Sequence, residues 1–108
     1  MATFDDFWKL LKEDLAKFAQ DQWQNYRDAA TKDGDAFLEK AKADLQRWSD
    51  MLEQKKLTPD DFKWLVVGKK DLAELVALKQ KGLAKAALDS FVNGMIDTVV
   101  STAFKVFS

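Results

Sequence analysis

The last stretch of the chain, LAKAALDSFVNGMIDTVVSTAFKVF from Leu83 to Phe107, constrains the fold most strongly. It holds only two acids and two lysines. Its apolar side chains, projected at about 100° per residue, cover roughly half of a helix circumference, whereas a surface helix needs a stripe of little more than about 100°. The stretch therefore predicts a helix over residues 83–107 whose wide apolar face must be covered by its own chain, by a partner or by a membrane.

The last helix carries a set of apolar residues and a line of small residues that indicate how its apolar face is covered. Because nearly every other segment also carries a bulky apolar stripe, we expect a second molecule to cover part of this face. The predicted oligomer interface consists of Phe91, Met95, Ile96, Val99 and Ala103. A line of small residues, which permits close approach of another helix, is formed by Ser90, Gly94 and Thr98.

The first half of the chain predicts two helices, at residues 3–31 and 35–56. Thr3 can cap the first helix, and apolar residues then recur in steps of three and four. Gly34 leaves two alternatives: a turn at residues 31–35, or one long helix that continues through the glycine at a cost of about 1 kcal/mol. We favour the turn, because a chain this short buries more surface when it folds back on itself.

A further helix begins after Thr58, and this is the clearest local signal in the sequence. Thr58 can cap the helix, and a proline and two acids follow it, as is typical of a first helical turn. We expect this helix to span residues 59–81. Gly68 leaves the alternative of a short helix 59–67, a tight connection and a second helix 72–81.

The segment LEQKKLTPDDF, residues 52–62, resembles the short C-terminal domain motif of bacterial proteins known as SHOCT. The positions that match this motif are Leu57-Thr58 and Asp60-Asp61-Phe62. A lysine stands where the motif has a glycine, and the sequence that follows departs from the motif. The resemblance implies a role in oligomerisation or interaction and transfers no catalytic residue.

The composition argues against catalysis and against a bound cofactor. The chain has no histidine and no cysteine, so it lacks the commonest general base and the thiolate nucleophile. Adjacent acids such as Asp60 and Asp61 point about 100° apart on a helix and do not converge on one substrate. Asp33-Gly34-Asp35 is similar to a fragment of a calcium loop, but the other oxygen ligands are missing. We therefore predict no enzyme activity, no metal site and no cofactor.

Charge and hydropathy point to a cytoplasmic protein. The net charge is −1, which provides no basic field to attract nucleic acid. The first residues lack the pattern of a signal peptide, and no stretch of about 20 residues is free of charge. The last helix has too few lysines for a membrane-surface helix, and the absence of cysteine fits a reducing compartment. We expect no small-molecule substrate, and neither nucleic acid nor membrane as a main partner.

The sequence thus predicts an all-α protein with a single domain, residues 1–108, built as an antiparallel bundle of about four helices that is either monomeric or intertwined in a homo-oligomer. The predicted function is non-catalytic protein–protein interaction through homo-oligomerisation, with a dimer favoured. One alternative is peripheral binding to an anionic membrane or nucleic acid through the lysine-rich helix ends: Lys55, Lys56, Lys69, Lys70, Lys79, Lys81 and Lys85. A second is a carrier that holds a small apolar ligand in its aromatic core. We expect the tryptophans to serve core packing instead: Trp8, Trp23, Trp48 and Trp64.

Overall fold

The computed structural model describes residues 3–107, so Met1, Ala2 and Ser108 of the predicted domain lie outside the described residues. Residues 3–107 form five α-helices: α1 (Phe4–Gln22), α2 (Arg27–Glu53), α3 (Pro59–Val67), α4 (Val76–Gln80) and α5 (Lys85–Phe107). Two 3₁₀ turns lie between them, at Gln24–Tyr26 and Lys70–Leu72. Helix accounts for 85% of the structure, and no strand is found in this range. The predicted all-α class is therefore confirmed.

The chain first reverses at Trp23–Tyr26 and not at residues 31–35, so the boundary predicted between helices 3–31 and 35–56 is wrong. Gly34 lies buried inside α2, because packing against the rest of the chain keeps this segment helical. The hairpin itself is present, since α1 and α2 pack against each other. The radius of gyration is 13.6 Å, close to the value of about 13 Å for a compact chain of this length. This value excludes a single rod.

The third predicted helix is interrupted. α3 ends at Val67, so an unbroken helix 59–81 is wrong and the short helix 59–67 is confirmed. The next α-helix begins at Val76, later than the expected position 72, because Leu75 adopts a left-handed backbone with a φ of 57°. A residue in that conformation cannot continue a right-handed helix.

Local chemistry sets two other boundaries much as the sequence predicts. The Oγ1 of Thr58 accepts the backbone N–H of Asp61 at 3.1 Å, which caps the start of α3. Gly82 adopts a φ of 75°, a conformation that favours glycine, and so ends the preceding helix. The last helix then begins at Lys85, two residues after the predicted start at Leu83.

The last helix, α5, is the central element, and its cover comes from the same chain. Its most extensive contact is with α1, while α3 and α2 cover other parts of it. Aromatic pairs join α1 and α5 near both ends: the ring centroids of Phe18 and Phe91 lie 5.7 Å apart, and those of Phe7 and Phe107 lie 5.6 Å apart. These distances fall in the range of about 4.5–7 Å that aromatic pairs prefer.

Gly94 is the point at which α5 accommodates a side chain of α1. A Cβ atom at position 94 would lie 2.7 Å from two ring atoms of Phe18, which is too close for a real contact. Gly34, in the interior of α2, has room for a Cβ atom, which would meet only Leu15 Cδ1, in ordinary van der Waals contact at 4.0 Å. The packing therefore requires glycine at position 94 and does not require it at position 34.

Substitution of these two glycines by alanine should change stability in opposite directions. Both changes gain about 1 kcal/mol of helix propensity, but Gly94→Ala also overpacks the contact with Phe18 at a cost of about 1–3 kcal/mol. Urea unfolding should show that Gly34→Ala stabilises the fold by up to about 1 kcal/mol and that Gly94→Ala destabilises it. In a Phe18→Ala background, Gly94→Ala should stabilise instead; a loss of stability there would contradict the packing argument.

Asp33, on α2, caps the short helix α4 from a distant position in the sequence. Its carboxylate accepts the backbone N–H of Ala77 at 3.0 Å and that of Leu78 at 2.7 Å. The residue before α4, Leu75, provides no side-chain cap of its own. Asp33 is only 6% exposed, so these two hydrogen bonds replace the water that its carboxylate would otherwise bind. The contact joins α4 to α2.

Replacement of Asp33 by alanine should lower the free energy of unfolding by about 1–3 kcal/mol, because two backbone N–H groups lose their acceptor. Asp35→Ala provides the matched control, since Asp35 is an exposed acid on the same helix. In urea titrations the control should stay within about 0.5 kcal/mol of the unmodified chain. Equal losses in the two variants would show that the cap does not stabilise the fold.

Candidate interaction surface

The five residues predicted to form an oligomer interface lie in the core of the single chain. Each of them is at most 2% exposed: Phe91, Met95, Ile96, Val99 and Ala103. Helices α1, α2 and α3 contact α5 and supply the cover. In this fold, the cover of these side chains comes from within one chain, and Ala103 also borders a groove at the surface.

The predicted line of small residues is divided between the interior and the surface. Gly94 receives Phe18, so the helix that approaches closely at this point is α1 of the same chain. The Oγ1 of Thr98 donates to the carbonyl of Gly94 at 2.9 Å. Ser90 is exposed. Of the three small residues, Gly94 is therefore the one that allows close packing, and it does so between α5 and α1 of the same chain.

A polar contact between α1 and α5 was not apparent from the sequence. The Oδ2 of Asp14 accepts hydrogen bonds from Thr102 Oγ1 at 2.6 Å and from Lys105 Nζ at 2.9 Å. Burial raises the pKa of Asp14, but the hydrogen bonds from Thr102 and Lys105 and the charges of Lys105 and Lys17 outweigh it. The pKa of this carboxyl therefore lies below its ordinary value.

This contact should make part of the stability depend on pH. A carboxyl with a lowered pKa in the folded state stabilises the fold above its unfolded pKa of about 3.9, and the contribution is lost as the pH falls through the folded value. At neutral pH, Thr102→Val should lower the free energy of unfolding by about 1–3 kcal/mol. The difference from the unmodified chain should shrink below about pH 4.

Thr98→Val is the matched control for that measurement, because the Thr98 hydroxyl donates to a backbone carbonyl that does not titrate. Its effect on the free energy of unfolding should be the same at pH 3 and pH 7, within about 0.5 kcal/mol. A Thr102→Val effect that is equally independent of pH would show that Asp14 does not mediate the contact.

Trp64, on α3, differs from the other three tryptophans in its exposure. Trp48 is 5% exposed, and Trp8 and Trp23 are half-buried against the core. Trp64 is 75% exposed, because Phe62 and Val66 on the opposite side of α3 face the core. The expectation that all four tryptophans serve core packing therefore fails at Trp64. Helical periodicity could have predicted this exposure, since position 64 lies about 200° around the helix from positions 62 and 66.

Two further large apolar side chains are exposed in the part of the chain that the structure describes. Leu65, next to Trp64, is 36% exposed, and Val76 at the start of α4 is 55% exposed. Isolated exposed apolar residues are normal on protein surfaces. An exposed tryptophan beside an exposed leucine on one short helix is less ordinary, so we take α3 as the candidate surface.

Charges of opposite sign lie at the two ends of α3. Asp60 and Asp61 occupy its first turn, and Lys69 and Lys70 follow its last residue. The Nζ of Lys69 lies 3.1 Å from a carboxylate oxygen of Asp44, and the hydrogen bond from Lys69 holds the pKa of Asp44 below its ordinary value. The Nζ of Lys70 donates to Asn93 Oδ1 at 3.0 Å. Both lysines are thus held beside the carboxyl end of α3.

The lysines predicted to form an anionic-surface site do not form a uniform patch. Three of them, Lys70, Lys79 and Lys85, line one cleft of about 600 Å³ between the segment after α3 and the start of α5. Asp71 and Asp89 line the same cleft. The acids offset much of the positive potential, so the cleft has no strong preference for an anion.

Comparison of the chain with protein-family models, with curated proteins and with solved structures finds no match. Of the residues that resemble the SHOCT motif, Thr58 and Asp61 form the cap of α3. Between residues 3 and 107, no group of three or more acidic side chains is placed to hold a metal ion. Within the same range, none of the helices is both long enough and apolar enough to cross a membrane.

Proposed function

We propose that this chain is a non-catalytic protein–protein interaction module that pairs with a second copy of itself. The contact in this proposal is the outer face of α3, defined by Asp60, Trp64 and Leu65. The observation that carries the proposal is the 75% exposure of Trp64. Tryptophan is enriched at the energetic centres of protein interfaces, because it buries a large area and loses little conformational entropy.

The charges at the ends of α3 support a second copy as the partner. Trp64 lies near the middle of the nine-residue helix. A two-fold axis at this point would bring two indole rings together and pair the helices antiparallel. Asp60 of one copy would then lie toward Lys70 of the other, so that charges of opposite sign meet.

The proposal includes an antiparallel four-helix bundle, made of α1, α2, α3 and α5, as the unit that pairs, and a cytoplasmic location. The absence of cysteine supports a reducing compartment.

The competing arrangement is an intertwined dimer in which α5 is exchanged between copies, so that the partner buries the same five core residues. An exchange of α5 between copies would give the exposed Trp64 no role. For this reason we favour the dimer that pairs through α3.

Pairing through α3 should be weak and should depend on concentration, because one tryptophan and one leucine form a small apolar centre. Sedimentation equilibrium should give the mass of one chain at low micromolar concentration and approach the mass of two chains near millimolar concentration. Trp64→Ser should give the mass of one chain throughout, with unchanged thermal stability, because Trp64 contributes little to the core.

Lys63→Ser is the matched control, since it truncates an exposed side chain on the same helix without removing an apolar anchor. It should leave the association unchanged. A single-chain mass for the unmodified protein at every concentration would rule out self-association. A two-chain mass that persists in Trp64→Ser would reject the face of α3 and favour the intertwined arrangement.

A further inference from the structure

A small apolar groove lies where the connection between α2 and α3 meets the last turns of α5. Its volume is about 300 Å³, at the lower end of the range of about 300–1,000 Å³ typical of ligand pockets. Most of its lining is apolar, and the lining residues are Leu52, Lys55, Leu57, Thr58, Pro59, Ala103, Phe104 and Phe107. The groove therefore suits a small ligand with an apolar body.

Lys55 contributes the charge of this groove. No acidic side chain lines it, in contrast to the cleft beside Lys70 and the groove beside Asp14, which carry both signs. Within residues 3–107, Lys55 is not part of any ion pair. An exposed lysine among apolar lining residues is complementary to a ligand with one negative charge at the end of an apolar chain.

The backbone at Lys55 fixes where this lysine leaves the end of α2. Its φ is 60°, the left-handed conformation that ends many helices and that strongly favours glycine. The accompanying hydrogen bonds are present, from Lys55 N–H to the Leu52 carbonyl at 3.0 Å and from Lys56 N–H to the Met51 carbonyl at 2.8 Å. Glycine would end α2 with less strain. A lysine at this position suits the negative end of the α2 dipole, and the same residue also lines the groove.

From these observations we infer that the groove binds a medium-chain fatty acid. The ammonium of Lys55 pairs with the carboxylate, and the alkyl chain lies against Leu52, Leu57 and the aromatic rings of Phe104 and Phe107. A carboxylate suits the site because one lysine balances one negative charge. The lining of this site shares no residue with the outer face of α3, so the inference does not rest on self-association.

Titration of the whole chain with octanoate, followed by the NMR shifts of its backbone amides, tests this site. Saturable shifts should be confined to residues 52–58 and 103–107. Affinity should rise about fourfold for each methylene added between hexanoate and octanoate, because each buried methylene contributes a constant increment. Octan-1-ol should bind about fivefold more weakly than octanoate, and octylamine more weakly still.

Lys55→Gly is the decisive variant, because it removes the charge and also relieves the left-handed backbone. It should fold at least as stably as the unmodified chain and bind octanoate about fivefold more weakly, while its affinity for octan-1-ol is unchanged. Lys56→Gln, which alters the neighbouring lysine outside the groove, should bind octanoate normally.

Three outcomes would overturn the inference. One is that octanoate shifts amides across the whole surface without saturation. Another is that octylamine binds as tightly as octanoate, which would mean that the charge of Lys55 plays no part. The third is that Lys55→Gly, shown to be folded by circular dichroism, binds octanoate with unchanged affinity.

Discussion

The contact between α1 and α5 depends on the absence of a side chain at Gly94. Phe18 occupies the space that a Cβ atom would fill, and from there it packs against Phe91. The hydrogen bond between Asp14 and Thr102 requires the same close spacing, because both side chains are short. Gly94 thus permits the apolar contact, and the polar contact joins the same two helices eight residues further along α5. The other helices complete the cover of α5 around this pair.

The second constraint is the carboxylate of Asp33, which satisfies the start of α4. A helix of five residues has no stability of its own, because helix nucleation is unfavourable and few hydrogen bonds follow it. Two hydrogen bonds from α2 and the buried side chain of Leu78 hold it in place. This role explains why residues 31–35 are helical and buried on one side although their composition is typical of a turn. The left-handed backbone at Leu75 redirects the chain into α4.

With the wide face of α5 covered internally, the interactions that we propose use features outside the core. Trp64 and Lys55 are two such features, and packing within the chain accounts for neither of them. The core lies on the opposite side of α3 from Trp64, so the exposed indole does not pack in it. Lys55 has a left-handed backbone, a conformation that favours glycine over lysine. The first supports pairing of two chains, and the second supports a ligand with an anionic head. The two surfaces share no residue, although Pro59 of the groove is the chain neighbour of Asp60 on α3.

The sequence alone determined the features that depend on neighbouring residues: the cap at Thr58, the stop at Gly82, the all-helical class and the wide apolar face of the last helix. Helical periodicity also places Trp64 on the opposite side of its helix from Phe62 and Val66, although the sequence analysis predicted that it packs in the core. Only the tertiary structure decided where the first turn lies, which residue caps α4 and what covers α5. Each of these depends on residues far apart in the chain, as with Asp33 and α4 or Phe18 and Gly94. An apolar helix face requires cover, but its pattern does not specify which segment provides it.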